Sequence, residues 1–205
     1  MARLIVLLLL VPFMSLAQKS AVDPLRQLNP ISPIDTVRGR ALCRQCAELW
    51  KAGQYAEALA TGLQGLDVCQ QDRDLRGQAL CSNNLGNVYK VQGNHSLALA
   101  AYVQALGLFE QLGHWPGVAA CYSNLGNIHY EQGDYRQALA QYQHSLAIRE
   151  RVGNQAGIAN SLNNIGFIYR LQGDYARALD CYQRSLRIQQ QVGNRSGEAY
   201  CLTNL

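Results

Sequence analysis

Residues 117–156 read GVAACYSNLGNIHYEQGDYRQALAQYQHSLAIRERVGNQA, and residues 157–196 read GIANSLNNIGFIYRLQGDYARALDCYQRSLRIQQQVGNRS. The two segments agree at 19 of 40 positions, and 77–116 agrees with 117–156 at 16 of 40. Gly77, Gly117, Gly157 and Gly197 mark the period, as do Gly53, Gly93, Gly133 and Gly173, and Ala58, Ala98, Ala138 and Ala178. A register held this long is a structural repeat, and every other feature has to be read inside it.

Each half of the repeat has helical spacing. In 117–132, Ala120, Asn124 and Ile128 recur at four-residue intervals, with Ala119, Tyr122 and Gly126 beside them; Ala138, Tyr142, Ser145, Leu146 and Arg149 do the same in 135–152. Gly133-Asp134 divides the halves, with glycine suited to the left-handed exit of one helix and aspartate to capping the next. Gly93-Asn94 and Gly173-Asp174 repeat the device, and Gly113, Gly153-Asn154 and Gly193-Asn194 end the second helices. Gly86, Gly126 and Gly166 fall mid-helix, where glycine costs about 1 kcal/mol relative to alanine. The spacing therefore predicts a packing need there, met by close approach of the partner helix through Ala98, Ala138 and Ala178, with tyrosines at 89, 169, 102, 142 and 182 around them.

The pattern N-L-G-N-x-Y…Q-G-x-x-x-x-A-L-x-x-Y-x-x-x-L resembles the tetratricopeptide repeat, in the long form found in kinesin light chain and in the spindle-orientation adaptors whose repeats read Leu-Gly-Asn. It covers 38–205 as one divergent, three clear and one broken repeat. The resemblance implies an all-α fold, a right-handed α-solenoid of antiparallel helix pairs with about four and a half repeats: 37–76, 77–116, 117–156, 157–196 and a partial 197–205. One pair cannot bury its apolar face alone, so stacking supplies the core. Repeat 1 departs from the pattern, with Cys46 at the mid-helix glycine position and Gly62 where tyrosine is expected. The half-repeat from Gly197 leads to the expectation that the array continues past Leu205.

In this family the first helices line a concave face and clasp an extended peptide backbone with polar residues. Carried over by position, that implies Asn83, Asn84, Asn87 and Lys90 in repeat 2, Ser123, Asn124, Asn127 and Tyr130 in repeat 3, and Asn163, Asn164, Phe167 and Arg170 in repeat 4. Residues such as Asn83, Asn87 and Lys90 share one helix face. An asparagine amide offers both donor and acceptor to a backbone, and the cationic edge favours an acidic ligand. For Asn84, Asn124 and Asn164 a second role stays open, that of bonding neighbouring helices. For Asn87 and Asn127 binding is expected, with their replacement by alanine leaving thermal stability nearly unchanged.

Around the array, the chain has 205 residues, 48% hydrophobic and 16% charged, with a formal charge of +4. That is enough to fold one domain, and the basic residues form no run of the kind that tracks nucleic acid. Arg3, the apolar stretch Leu4 to Leu16 and Ala17 read as a signal peptide over 1–17. The stretch is shorter than the roughly 20 residues a membrane-spanning helix needs, so the expectation is export, to the periplasm or outside the cell, with no membrane span. Residues 18–36, with Pro24, Pro30 and Pro33, read as an extended leader.

Seven cysteines remain. Cys43-x-x-Cys46 lacks the second pair or histidines a zinc site requires, and reads as small residues on a helix. Cys81, Cys121 and Cys201 share one repeat position, replaced by Ser161 in repeat 4, and read as buried thiols too far apart to bond each other. The histidines are scattered over unrelated positions, no acid/base spacing repeats, and no nucleotide or hydrolase motif is present. Asn94-His95-Ser96 and Asn194-Arg195-Ser196 match a glycosylation sequon, but both also stand at helix starts. The expectation is a non-enzymatic scaffold, without cofactor or metal, that binds an extended, acidic peptide or protein. The alternatives are the extracytoplasmic sensor region of a larger signalling protein, of sensor kinase or cyclase type, and a thiol-redox protein using Cys43 and Cys46.

Overall fold

A computed structural model describes residues 33–204; the signal-peptide reading over 1–17 and residues 18–32 of the leader read over 18–36 lie outside the described residues, and 33–36 belong to the first helix instead of an extended leader. Among the described residues there are nine helices and no strand: α1 (Pro33–Lys51), α2 (Tyr55–Gln71), α3 (Leu75–Val91), α4 (His95–Gln111), α5 (Trp115–Glu131), α6 (Tyr135–Arg151), α7 (Gln155–Leu171), α8 (Tyr175–Gln191) and α9 (Arg195–Asn204). Pro33 opens α1, at a position where its missing N–H costs nothing. The helices pack in chain order, each repeat a hairpin against its neighbours, so the fold is an all-α repeat solenoid. No described helix is long and apolar enough to cross a membrane.

The turns follow from the residues in them. Gly93, Gly133 and Gly173 leave the first helices at φ of 75–79°, a region that side chains disfavour. The next residue caps the second helix: Asn94, Asp134 and Asp174 accept from the backbone N–H of Leu97, Gln137 and Arg177 at 3.0–3.2 Å. At the repeat boundaries His114, Asn154 and Asn194 accept from Gly117, Gly157 and Gly197 in the same way. Both sequon asparagines are thus caps. In the first repeat Arg73 takes the left-handed position at φ 54°.

The core glycines are explained by rings rather than by backbone approach. A Cβ on Gly86, Gly126 or Gly166 would lie 2.5, 2.6 or 2.9 Å from Cε1 of Tyr102, Tyr142 or Tyr182. The tyrosine of each second helix lies flat on the glycine of its own first helix, which corrects the expectation that the alanines made this contact. Repeat 1 keeps the same sum by exchange: Cys46 stands in place of the glycine, Gly62 in place of the tyrosine, and Leu85 of the next repeat fills the gap, 2.7 Å from where a Gly62 Cβ would sit. A second periodic contact joins successive repeats. Cys69, Phe109, Arg149 and Gln189 share a position, and each packs on Gly77, Gly117, Gly157 or Gly197. Arg149 there donates to Gly157 O and Ser161 Oγ, both at 2.8 Å, and its burial holds its pKa below the ordinary value.

Candidate functional site

The first helices α3, α5 and α7 carry the twelve residues of the expected ladder, and the structure sorts them into two groups. One group bonds helix to helix. Asn84 Nδ2 donates to Cys43 O at 2.8 Å, and Asn124 Nδ2 to Asn83 Oδ1 at 3.0 Å. Asn83 Oδ1 also accepts from the Cys121 thiol at 3.8 Å. Asn163, only 4% exposed, meets Cys201 Sγ at 3.4 Å. Ser123 donates to Ser145 Oγ at 2.8 Å, because the Ser145 hydroxyl proton goes to Ala119 O. The atoms named here are occupied within the stack, while Asn83 Nδ2 has no partner among the described residues. Asn164 is half-buried, and its side chain has no hydrogen bond among the described residues.

The second group keeps free chemistry. Asn87 and Asn127 accept from the Tyr102 and Tyr142 hydroxyls at 2.8 and 2.7 Å. Their carbonyl oxygens are therefore used, while their amide N–H groups have no partner among the described residues. In repeat 4 Phe167 replaces this asparagine, and the buried Tyr182 hydroxyl lacks an acceptor among the described residues; Arg170 lies close enough to draw its pKa down against the dominant effect of burial. Tyr130 meets Phe167 edge-on at 5.3 Å, and the Arg170 guanidinium sits 4.9 Å over the Phe167 ring. Tyr130, Phe167 and Arg170 thus form one aromatic and cationic cluster across two repeats. Lys90 is less available than its sequence position implied, because Glu131 lies 3.6 Å from its Nζ and 3.6 Å from His95 Nε2.

Sequence reasoning missed the first repeat's contribution. Arg40, Arg44 and Arg76 line a cleft of about 350 Å³ with Val37 and Leu80. Arg44 occupies the position of Asn84, Asn124 and Asn164, so the periodicity held the signal, hidden by the divergence of repeat 1. Arg40 is engaged: its Nε and Nη2 donate to the two Asp74 oxygens at 2.6 and 2.7 Å. Burial would raise the Asp74 pKa, but the Arg40 hydrogen bonds and charge and the Gly77 N–H outweigh it and hold the carboxyl below its usual range. Arg44 and Arg76 are exposed, with no acidic partner among the described residues.

A disulfide joins Cys43 to Cys81, with Cα atoms 4.8 Å apart, while Cys46, Cys69, Cys121, Cys181 and Cys201 are free and buried. This corrects the reading of Cys81 as a thiol and leaves Cys46 outside any pair. Burial pushes the Cys46 thiol up to about 11, the opposite of what a reactive dithiol needs. The bond uses a contact that recurs at two further steps of the stack. Positions 38 apart touch: Asn83 meets Cys121 and Asn163 meets Cys201 where Cys43 meets Cys81.

A family model for the tetratricopeptide repeat matches residues 40–111, 77–151 and 157–205. The chain belongs to the tetratricopeptide repeat family. Solved structures share its fold, among them the following three. BtubC (BKLC) from P. vanneervenii is 24% identical with a TM-score of 0.67, over 75% of this chain and 63% of that one. Aspartyl phosphate phosphatase F from Bacillus subtilis is 11% identical with a TM-score of 0.78, over 82% and 44%. A Rap protein complexed with Competence and Sporulation Factor is 20% identical with a TM-score of 0.72, over 81% and 52%. The chain spans between about half and two-thirds of the length of these proteins. No curated protein sequence matches it. Tetratricopeptide arrays are typically non-catalytic interaction scaffolds, and this chain shares that architecture.

Proposed function

We propose that the chain is an exported scaffold whose first helices form a concave groove that captures an extended, acidic segment of a partner protein. The observation that carries this reading is the pairing of unspent donors with unpaired positive charge on one run of helices. The Asn87 and Asn127 amide N–H groups have no partner among the described residues, and Arg44 and Arg76, without an acidic partner among the described residues, line the cleft at one end, with Arg170 beside Phe167 at the other. Amide donors fit backbone carbonyls, and arginine forks fit carboxylates. A protein of the same fold, Rap, was crystallised in complex with Competence and Sporulation Factor, which supports partner capture as a use of such an array. The disulfide supports export, since such bonds persist in oxidising compartments.

The test separates donors from acceptors. Asn87→Ala or Asn127→Ala strands a buried tyrosine hydroxyl, so it costs stability, about 1–3 kcal/mol, contrary to the expectation from sequence. Asn87→Asp with Asn127→Asp keeps the acceptor for each tyrosine and removes the amide donors. Fluorescence anisotropy with labelled Glu- and Asp-rich peptides is expected to show saturable binding, weakened roughly tenfold or more, about 1.4 kcal/mol, by that pair and by Arg44→Glu with Arg76→Glu. Equal binding by Lys-rich peptides, or undiminished binding by both variants, would falsify the groove assignment.

A further inference from the structure

Three sulfurs from three helices meet where the first repeat packs on the second. Cys43 of α1, Cys69 of α2 and Cys81 of α3 are each at most 1% exposed, and their Sγ atoms all lie within 4.8 Å of one another. Nowhere else in the described array does this happen. The position of Cys69 carries Phe109, Arg149 and Gln189 in the later repeats, and the Cys43–Cys81 contact becomes Asn83 with Cys121 and Asn163 with Cys201. The cluster is also distinct from Cys43-x-x-Cys46, because Cys46 packs against Gly62 instead.

We propose that Cys43, Cys69 and Cys81 form a redox-gated metal site which, once the Cys43–Cys81 bond is reduced, takes one Cu(I) ion. Thiolate–metal bonds of about 2.3 Å around a three-coordinate ion space the sulfurs roughly 4 Å apart, within the spread seen here. Softness selects among ions: thiolates favour Cu(I), Zn and iron–sulfur clusters. Structural zinc completes a tetrahedron of four ligands, and among the described residues three donors converge here. Asp74, whose charge acts on Cys69, is held by Arg40. Cu(I) accepts three soft donors and no water, which suits a site closed to solvent.

The chemistry balances in two steps. An external dithiol gives two electrons and two protons to the Sγ–Sγ bond, which breaks to two thiols while the reductant becomes its own disulfide. Cu(I) then replaces the protons of the three thiols, which pass to solvent, and its oxidation state does not change.

The experiment titrates the full chain with Cu(I) under anaerobic conditions, with and without prior reduction, against a chromophoric Cu(I) chelator. The reduced protein is expected to take one equivalent, with X-ray absorption reporting sulfur neighbours alone. Cys69→Ser retains the oxidised staple and serves as the deciding variant: its reduced form is expected to bind at least tenfold more weakly, whereas Cys121→Ser and Cys181→Ser bind like the parent. Equal uptake by Cys69→Ser, uptake without reduction, no uptake by a reduced chain that keeps its helical circular dichroism, or loss of that signal on reduction would each overturn the site.

Discussion

Gly126 and Gly107 are both helical glycines, and the same substitution should move stability in opposite directions at the two. A Cβ on Gly126 meets Tyr142 at 2.6 Å, whereas on Gly107 it meets nothing within 4 Å. Gly126→Ala overpacks the tyrosine seat and is expected to cost about 1–3 kcal/mol. Gly107→Ala only removes unfolded-state freedom in a good helical site and should gain about 0.5–1 kcal/mol. Urea melts of the two variants check this, and a shared sign would refute the account of the ring seat. The mid-helix glycines were legible in sequence as a packing demand, because their cost has to be offset. Which atoms made the demand was not, since tyrosine and alanine share the same helical column interval.

At the scale of elements, α1 is the helix whose attachment differs most from the repeat pattern. It is held to α3 by the disulfide, by Asn84 on Cys43 O and by the Arg40–Asp74 fork. Asp74 is buried at the start of α3 while the Arg40 side chain is 42% exposed, so solvent screens part of the pair. Arg40→Ala is expected to cost about 1–3 kcal/mol near neutral pH. The folded Asp74 pKa lies below the unfolded one, so its contribution is fully present above the ordinary carboxylate value, about 3.9, and is lost as pH falls through the depressed folded value. The difference between parent and Arg40→Ala should therefore shrink in acid; a gap that stays constant from pH 7 to pH 2 would show that the fork is not its source.

For the whole molecule, the proposals of export and of a folded-state disulfide make a joint prediction about material recovered outside the cytoplasm. Removal of the leader after Ala17 would give a chain beginning at Gln18. Of seven cysteines, five are free in the described array. Alkylation of the unfolded but unreduced chain should add five labels, rising to seven after reduction. N-terminal sequencing and intact mass read both quantities from one sample; a chain starting at Met1, or seven labels without reduction, would remove the support for export.

The sequence by itself determined the period, the helix pairs, the glycine turns with their caps and the family, because each depends on residues close in the chain or on comparison of equivalent positions. It also placed the polar ladder on the first helices. Only the tertiary structure decided which ladder members are spent. The polar and disulfide contacts that recur between first helices join positions 38 or 41 apart, as in Cys43–Cys81, Asn83–Cys121, Asn84–Cys43 and Asn124–Asn83, not 40. A repeat read at its own period lines up residues that never touch. The offset arises from how far packed helices slide along and across one another, which periodicity does not encode. That slide turned Cys81 from a thiol into half of a disulfide, closed Asn83, Asn84, Asn124 and Asn163 within the stack, and left the amides of Asn87 and Asn127 open.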